Sequence, residues 1–259
     1  MHTETLLQDA LEPFLADGLI SDVLYPIKSG KEATVYCCRA GRQLELDLVA
    51  AKVYKPRAFR SFRNDSVYQE GRVILDRRAR RAAAKRTDFG TQVQSALWTN
   101  REWEVIETLH GAGADVPRPL ARSAGAILLE FVGDADSAAP VLKEVALTSC
   151  DAESLFDRLL DNIQLWLAYD VVHADLSAYN VLMWDGAPVV IDFPQACDPR
   201  FNSNAFRLLL RDLDNLARFF ARFGVHRDAS ALAERYWSVW ERPGSQACGA
   251  THRLESEPG

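Results

Sequence analysis

The sequence of 259 residues predicts an α+β fold in two lobes, an antiparallel sheet lobe followed by a mainly helical lobe. Apolar residues alternate in the manner of strands between residues 20 and 54. They recur at the three- and four-residue spacing of helices in 155–169 and 206–223. Single hydrophobic cores stop growing at roughly 250 to 300 residues, so this length suits two modest lobes that share a cleft.

The first elements of the chain are a helix and a pair of strands. Apolar residues at helical spacing predict that residues 1–19 form a helix that packs on the sheet lobe and ends near Gly18. The strand pattern is strongest in 34–38 and 46–53, with a turn at Gly41 between them. We expect these strands to be antiparallel.

Residues 57–97 interrupt this pattern with many basic and few large apolar residues, most of the basic ones in 72–86. We expect a flexible basic insertion or a solvated helix there. A stronger helix over 98–109 and a buried strand over 126–132 then complete the sheet lobe, residues 20–132.

The second lobe is expected to cover residues 133–240. Leucine, isoleucine and tryptophan at helical spacing predict a core helix over 155–169, and 206–223 predicts an amphipathic helix. A short buried strand is expected at 189–191. The tail, residues 241–259, is rich in Gly, Ser, Glu and Pro and is expected to be disordered.

Composition excludes several classes of protein. The net charge of −6 and the pI of about 5.5 argue against a wholly basic nucleic-acid-binding surface. The apolar runs fall short of the ~18 to 20 residues of a membrane span. The first residues lack a basic stretch followed by an apolar one, so we expect no secretory signal, reduced cysteines and a cytoplasmic protein.

The chemistry is concentrated in segment 173–180 and in the Asp192 that follows the next apolar strands. Phosphoryl transfer needs a carboxylate to orient or deprotonate the acceptor and oxygen ligands to hold Mg²⁺ on the phosphates. Asp175 suits the first role, and Asn180 and Asp192 suit the second. The two strands would turn at Asp185-Gly186, which brings both ligands together. Taken singly, such residues more often cap turns, but the ordered set favours phosphoryl transfer.

Segment 29–36 predicts a hairpin whose backbone N–H groups cover phosphates, with Ser29, Gly30, Lys31 and Val35 as candidate nucleotide contacts. The segment has one glycine where three are usual. An ordinary β-turn is therefore the alternative interpretation of this motif by itself.

Lys52 stands in an apolar strand, where a lysine is unusual unless it snorkels from an edge. We expect it to hold phosphates of the nucleotide. Its expected partner is Glu102 on the following helix. Glu104 and Glu107 lie on the same helix and are the alternatives.

In combination these motifs resemble the RIO family of atypical protein kinases, closest to its RIO-one branch. The family pattern S-T-G-K-E-A-x-V-[FY] is similar to residues 28–36, H-x-D-L-S-x-Y-N to 173–180, and I-D-x-x-Q-A to 191–196. The resemblance implies a trimmed two-lobed protein-kinase-like fold with ATP between the lobes. By matching positions, it makes Asp175 catalytic and Lys52 a phosphate ligand oriented by the helix glutamate.

The resemblance also implies that Asn180 and Asp192 bind Mg²⁺ and that Glu130 to Val132 form the hinge whose backbone binds adenine. It associates the position of Asp192 with aspartyl-phosphate formation and ATP hydrolysis. The insertion matches a flexible loop of the family. This chain departs from the usual S-T-G with Lys28-Ser29-Gly30, a departure expected not to touch a ligand.

Two other functions compete with a protein kinase or ATPase acting on an unknown protein substrate. One is a small-molecule kinase of the aminoglycoside or choline type, which would favour His-Pro-Gly where Ser177-Ala178-Tyr179 stands. The other is an ATP-gated switch that binds RNA or an acidic protein through segment 72–86. ATP and Mg²⁺, or Mn²⁺, are the expected cofactors in each case.

Overall fold

The chain is described by a computed structural model over residues 2–55 and 88–241. The strands are β1 (Ile20–Ser29), β2 (Ala33–Ala40), β3 (Leu48–Tyr54), β4 (Pro119–Arg122), β5 (Ala126–Glu130), β6 (Val181–Trp184) and β7 (Ala187–Val190). The α-helices are α1 (His2–Ala16), α2 (Asp88–Gly111), α3 (Ser149–Ala168), α4 (Ala205–Phe220) and α5 (Ala229–Trp240). A five-stranded sheet in the order β1-β2-β3-β5-β4 and the β6-β7 hairpin confirm the predicted α+β class, with antiparallel pairing between the strands.

Several predicted boundaries differ from the observed ones. Helix α2 begins at Asp88, ten residues before the helix predicted over 98–109, so the last ten residues of the predicted insertion are helical, which was one of the two alternatives expected there. The remainder of that insertion and residues 242–259 lie outside the described residues. The predicted strand over 126–132 ends at Glu130, and helix α5 was not predicted. Helix α3 starts six residues earlier than expected because Thr148 caps it, its side chain accepting the N–H of Asp151.

The central strand β3 of the five-stranded sheet is covered on both of its faces. On the outer face, Leu11 and Phe14 of α1 pack with Val49, Ala51 and Val53 of β3 in one apolar cluster. The inner face carries the alternate residues of the same strand and packs on the main core that α2 shares with the second lobe. Strand alternation therefore determines which side chains reach the cleft between the lobes.

The junction of α1 with the sheet depends on Gly41. Its N–H donates to the carbonyl of Leu19 at 2.8 Å, and an added Cβ would lie only 1.7 Å from the carbonyl oxygen of Gly18. Only glycine fits this close approach. The predicted turn at Gly41 continues as a 3₁₀ turn, Arg42–Leu44.

The second lobe is built on stacked aromatic and aliphatic side chains of α3 and α4. The rings of Phe156 and Phe220 stack with centroids 4.6 Å apart. Against this core the β6-β7 hairpin turns at Asp185-Gly186, where φ is 49° and 74°. Two successive positive φ values are typical of the tight hairpin turn that the sequence predicts there.

Two expectations from composition concern the membrane and the cysteines. Among the helices of 2–55 and 88–241, none has the length and apolarity needed to cross a bilayer. Cys37 and Cys38 are buried free thiols within β2.

Candidate active site

Lys52 lies at the centre of the cleft and contacts two carboxylates. Its Nζ lies 2.7 Å from Oε1 of Glu102 and 2.6 Å from Oδ1 of Asp192. The lysine is 8% exposed and Glu102 only 1%. A buried charge is stable only when it is paired, so the two carboxylates account for a lysine in an apolar strand.

The partner of Lys52 is the glutamate that the sequence predicts. Val105, Ile106 and Leu109 form the buried stripe of α2, and Glu102 continues that stripe at helical spacing. Glu104 and Glu107 are exposed on the opposite side of the helix.

Glu102 also accepts two other hydrogen bonds. The hydroxyl of Tyr54 donates to its Oε2, and the backbone N–H of Phe193 donates to its Oε1 at 3.1 Å. The Phe193 ring is buried against His173, with centroids 4.5 Å apart. Glu102 therefore holds both Lys52 and the segment that carries Asp192.

The charges in the cleft shift the pKa values of these groups. Burial by itself would raise the pKa of the Asp192 carboxyl. The Lys52 ammonium outweighs burial, and smaller contributions from His173 and Lys28 act in the same direction as Lys52, so the pKa is lowered. Burial likewise disfavours the charged form of Lys52, yet Asp192 and Glu102 raise its pKa. The lysine and Asp192 are thus both ionised at neutral pH.

The β6-β7 hairpin brings Asn180 and Asp192 together. Val181 pairs with Val190, and the N–H of Ile191 donates to the carbonyl of Asn180 at 2.9 Å, which extends the ladder by one step. Asp192 then has φ of 73°, a conformation that few non-glycine residues adopt. This backbone directs its carboxylate to Lys52.

Asp175 lies at the mouth of the cleft, where its side chain is exposed. Partial desolvation raises its pKa; Arg211 opposes the shift and the Asp192 charge adds to it. Nδ2 of Asn180 donates to the Asp175 carbonyl at 2.9 Å, so a hydrogen bond links the two candidate residues of this loop.

His173 is buried behind this loop. Its Nε2 lies 3.2 Å from the carbonyl of Ile191, and its Nδ1 accepts the N–H of Asp175 at 3.3 Å. These contacts require a neutral ring with the proton on Nε2. Burial lowers the pKa of His173 to about 4, in keeping with that form.

Helix α4 holds the Asp175 loop through residues that the sequence patterns did not single out. Asp212 accepts the N–H of Ala174 at 2.7 Å and of Leu176 at 2.9 Å. Arg211 donates to the Ala174 carbonyl and Asn215 to the Leu176 carbonyl. Ala174 itself has φ of 65°, so the loop is fixed in an uncommon conformation.

A signal for Asp212 is present in the sequence. It occupies the apolar stripe that Leu209, Leu213 and Leu216 form along α4, where a carboxylate is unexpected without a partner. Burial raises its pKa, while the two backbone N–H groups that donate to it favour the ionised form.

The β1-β2 turn contacts the segment that follows Asp192. Glu32 of this turn accepts a hydrogen bond at 3.1 Å from Gln195, just after the Asp192 segment. Gly30 and the exposed Lys31 form the turn, and the Gly30 N–H donates to the carbonyl of Ala33 at 2.9 Å.

The structure places the predicted contacts of this turn on different faces. The Ser29 hydroxyl lies 3.1 Å from Thr34 Oγ1 and accepts from Lys55 at 3.0 Å. Thr34 pairs with Val53, which belongs to the outer face, so the hydroxyl of Ser29 turns away from the cleft. Val35 pairs with Lys52 and lies on the cleft face.

The predicted hinge follows β5. Glu130 is exposed, and its N–H donates to the Arg118 carbonyl at 2.9 Å. The carbonyl of Val132 accepts the N–H of Ala139 at 2.9 Å.

The donor set fits a hard divalent cation that is bound together with phosphates. Within 2–55 and 88–241, no group of three or more His, Cys, Asp and Glu side chains could hold a metal ion alone. Mg²⁺ typically takes one or two carboxylates plus substrate phosphates. Asp192 and Asn180 can supply two hard oxygens. Because Nδ2 of Asn180 donates to the Asp175 carbonyl, Oδ1 of the same amide is the atom that could bind a metal.

Comparison with known proteins identifies the family. The sequence model of the RIO domain matches residues 34–232. The RIO-type serine/threonine-protein kinase Rio1 of Haloferax volcanii is 32% identical over 225 residues, which cover 87% of this chain and 72% of the relative. The serine/threonine-protein kinase RIO1 of Caenorhabditis elegans is 30% identical over 212 residues, 82% of this chain but only 39% of that longer protein.

A solved structure shows the same fold. The Rio2 kinase–ADP/Mg²⁺–phosphoaspartate complex from Chaetomium thermophilum matches with a TM-score of 0.67 at 22% identity, over 89% of this chain and 66% of that chain. The matched domain spans most of this chain and contains every candidate catalytic residue. The chain therefore belongs to the RIO family of kinases.

Proposed function

We propose that this chain is a RIO-type serine/threonine protein kinase or ATPase that transfers the γ-phosphoryl group of ATP. One observation carries the proposal: Lys52 joins Glu102 and Asp192, and the hairpin that carries Asp192 also holds Asn180, which is hydrogen-bonded to the Asp175 backbone. Electrostatic positioning supplies most of the catalysis in phosphoryl transfer, and this arrangement provides it. The family match favours this function over a small-molecule kinase.

In this proposal the residues of the sheet lobe bind ATP. Adenine lies against the hinge, and the Lys52 ammonium contacts the inner phosphates while Glu102 keeps it in place. Asn180 and Asp192 hold Mg²⁺, or Mn²⁺, which neutralises charge on the phosphates.

Asp175 acts on the acceptor. The acceptor oxygen forms a bond to the γ-phosphorus as the bond from that phosphorus to the β–γ bridging oxygen breaks, and the electron pair of the broken bond stays with ADP. The proton of the acceptor hydroxyl or water passes to the Asp175 carboxylate. A raised pKa makes this carboxylate a stronger base at neutral pH.

A second acceptor is Asp192 itself. Its lowered pKa keeps it ionised, as a carboxylate nucleophile must be, and its side chain is 43% exposed. Attack on the γ-phosphorus would leave an aspartyl phosphate and ADP, and water would then hydrolyse the acyl phosphate. The Rio2 kinase of Chaetomium thermophilum, which shares this fold, has been solved as a complex with ADP/Mg²⁺ and phosphoaspartate.

The two aspartates are expected to fail differently when changed. Asp175→Ala removes the group that orients the acceptor, so turnover should collapse while Mg-ATP binding is retained. Asp192→Ala removes a metal ligand and the second acceptor, so Mg-ATP binding and any phosphoenzyme should disappear together. Calorimetry with Mg-ATP and trapping with γ-labelled ATP, followed by hydroxylamine, measure both effects.

Hydroxylamine cleaves acyl phosphates and spares phosphoserine, so it identifies the acceptor. A hydroxylamine-sensitive adduct on Asp192→Ala would contradict the role of Asp192. Equal loss of Mg-ATP binding in both variants would contradict the division of roles between the aspartates.

We further propose a cytoplasmic protein with a protein partner or RNA bound at segment 72–86. This segment holds seven Lys and Arg residues but lies outside the described residues. Glutamate substitutions at Arg77, Arg78, Arg80 and Arg81 should reduce binding of an acidic peptide or of RNA and reduce its salt dependence. Unchanged binding and salt dependence would remove this segment from the interface.

A further inference from the structure

The cleft face of the sheet carries a second lysine in line with Lys52. Lys28 of β1 pairs with Val35, Val35 pairs with Lys52, and Lys52 pairs with Ile127. Directly paired residues of antiparallel strands project from the same face of a sheet. The side chains of Lys28 and Lys52 therefore share the cleft face, about 10 Å apart across two strand spacings.

The neighbouring residues confirm this direction. Ser29 pairs with Thr34, and their hydroxyls lie 3.1 Å apart on the outer face. Since successive residues of a strand alternate, Lys28 points to the opposite face, toward the cleft. The sequence led us to expect that the departure at Lys28 does not touch a ligand. The strand register instead places the Lys28 side chain on the face that lines the cleft.

Lys28 occupies the outer end of this row of side chains. The row runs from Ile127, which is fully buried, to Lys28, which is exposed. Lys28 therefore stands at the solvent end of the cleft, beyond Lys52.

The charge of the cleft favours a cation at its open end in addition to the proposed Mg²⁺. Lys52 is already shared between two carboxylates, Glu102 and Asp192, so these three groups carry a net negative charge. A triphosphate adds several negative charges, and its terminal phosphate must face the acceptor at the open end. An exposed lysine at that end can contact this phosphate as a compact cation.

We infer that Lys28 binds the γ-phosphoryl group, so that it selects ATP over ADP and stabilises the group in transfer, while Lys52 holds the inner phosphates. This inference rests on the proposed phosphoryl-transfer function. It assigns two lysines of one sheet row to two different parts of the nucleotide.

Lys28→Gln tests the inference because it keeps most of the length of the side chain and removes the charge. A lost charged hydrogen bond should weaken binding of a non-hydrolysable Mg-ATP analogue roughly tenfold or more and leave the affinity for Mg-ADP unchanged. The rate of a single turnover should fall by at least a similar factor. Calorimetry and rapid-quench measurements of ADP formation report these values.

Arg42→Gln is the matched control. Arg42 is exposed in the same lobe, at the opposite end of the sheet, and its loss changes the net charge equally. We expect it to leave both affinities and the rate unchanged. If it reproduces the effect of Lys28→Gln, the effect is one of overall charge and the inference is wrong.

The outcomes separate this inference from the function on which it rests. Equal weakening of ADP and ATP-analogue binding by Lys28→Gln would show a general effect on the site and overturn the γ-phosphate assignment. No effect on a wild-type enzyme that is active would overturn it alone. A wild-type protein that neither binds Mg-ATP nor forms ADP would overturn both.

Discussion

Glu102 is the residue on which the cleft depends most. It accepts hydrogen bonds from Lys52, Tyr54 and the Phe193 backbone while almost fully buried. An amide in its place can accept at one atom only, and its NH₂ group would face a donor. A buried donor left without a partner costs about 1 to 3 kcal/mol.

We therefore expect Glu102→Gln to lower kcat/KM for ATP by roughly tenfold or more, since a loss of about 1.4 kcal/mol is tenfold. Steady-state ADP release measures this. Glu104→Gln on the exposed side of the same helix is the control and should behave as wild type. Similar losses in both variants would mean that Glu102 has no special role.

His173 should make the stability of the protein depend on pH. Its folded pKa of about 4 lies below the ordinary value of about 6.5, so between these values the unfolded chain binds a proton that the native chain does not. The stability that His173 contributes is therefore present above about pH 6.5 and is lost as the pH falls toward 4, by about 1.6 kcal/mol between pH 6.5 and 5.

Urea unfolding of wild type and His173→Gln at several pH values tests this. The variant should lose less stability on acidification, while His110→Gln, at an exposed histidine, should retain the wild-type slope. Asp212 has a raised pKa and acts in the opposite direction, but it is present in all three proteins. Identical slopes in wild type and His173→Gln would refute the assignment.

At the scale of elements, α4 holds the backbone of the loop that carries Asp175, the proposed catalytic residue. Asp212→Asn would place an NH₂ group opposite a backbone N–H of that loop. A displacement of about 1 Å at a reacting group can cost roughly 100-fold in rate, so kcat should fall tenfold to 100-fold while Mg-ATP binding is retained.

The matched control for this change is Asp214→Asn. Asp214 lies on the same helix and pairs with Arg218 at the surface, so its loss should leave kcat unchanged. Kinetics and calorimetry on both variants give the comparison. Loss of nucleotide binding in Asp212→Asn in step with kcat would indicate a collapsed lobe instead of a displaced loop.

At the scale of the whole molecule, α1 is an integral part of the sheet lobe. Phe14 is 2% exposed between the helix and the outer face, whereas its neighbour Leu15 is 37% exposed. We expect Phe14→Ala to lower the free energy of unfolding by about 3 to 5 kcal/mol and Leu15→Ala by much less. Denaturant unfolding of the two variants measures the difference. A small loss in Phe14→Ala would mean that the helix contributes little to the lobe.

The sequence by itself determined the local parts of the fold and of the site. The turn at Asp185-Gly186 and the apolar runs on either side of it define the hairpin that joins Asn180 to Asp192, because turn geometry and alternation are properties of neighbouring residues. The sequence also predicts Glu102 as the partner of Lys52, with Glu104 and Glu107 as the alternatives, and the buried side of α2 in the structure distinguishes them.

Only the tertiary structure decided the contacts between distant segments. Lys52 and Asp192 are 140 residues apart, and periodicity places each on a face without saying which faces meet. Strand register turned the Ser29 hydroxyl outward and Lys28 into the cleft, since a shift of one residue exchanges the two faces of a strand. The docking of Asp212 under the catalytic loop depends in the same way on how a helix and a distant loop pack, which no local pattern records.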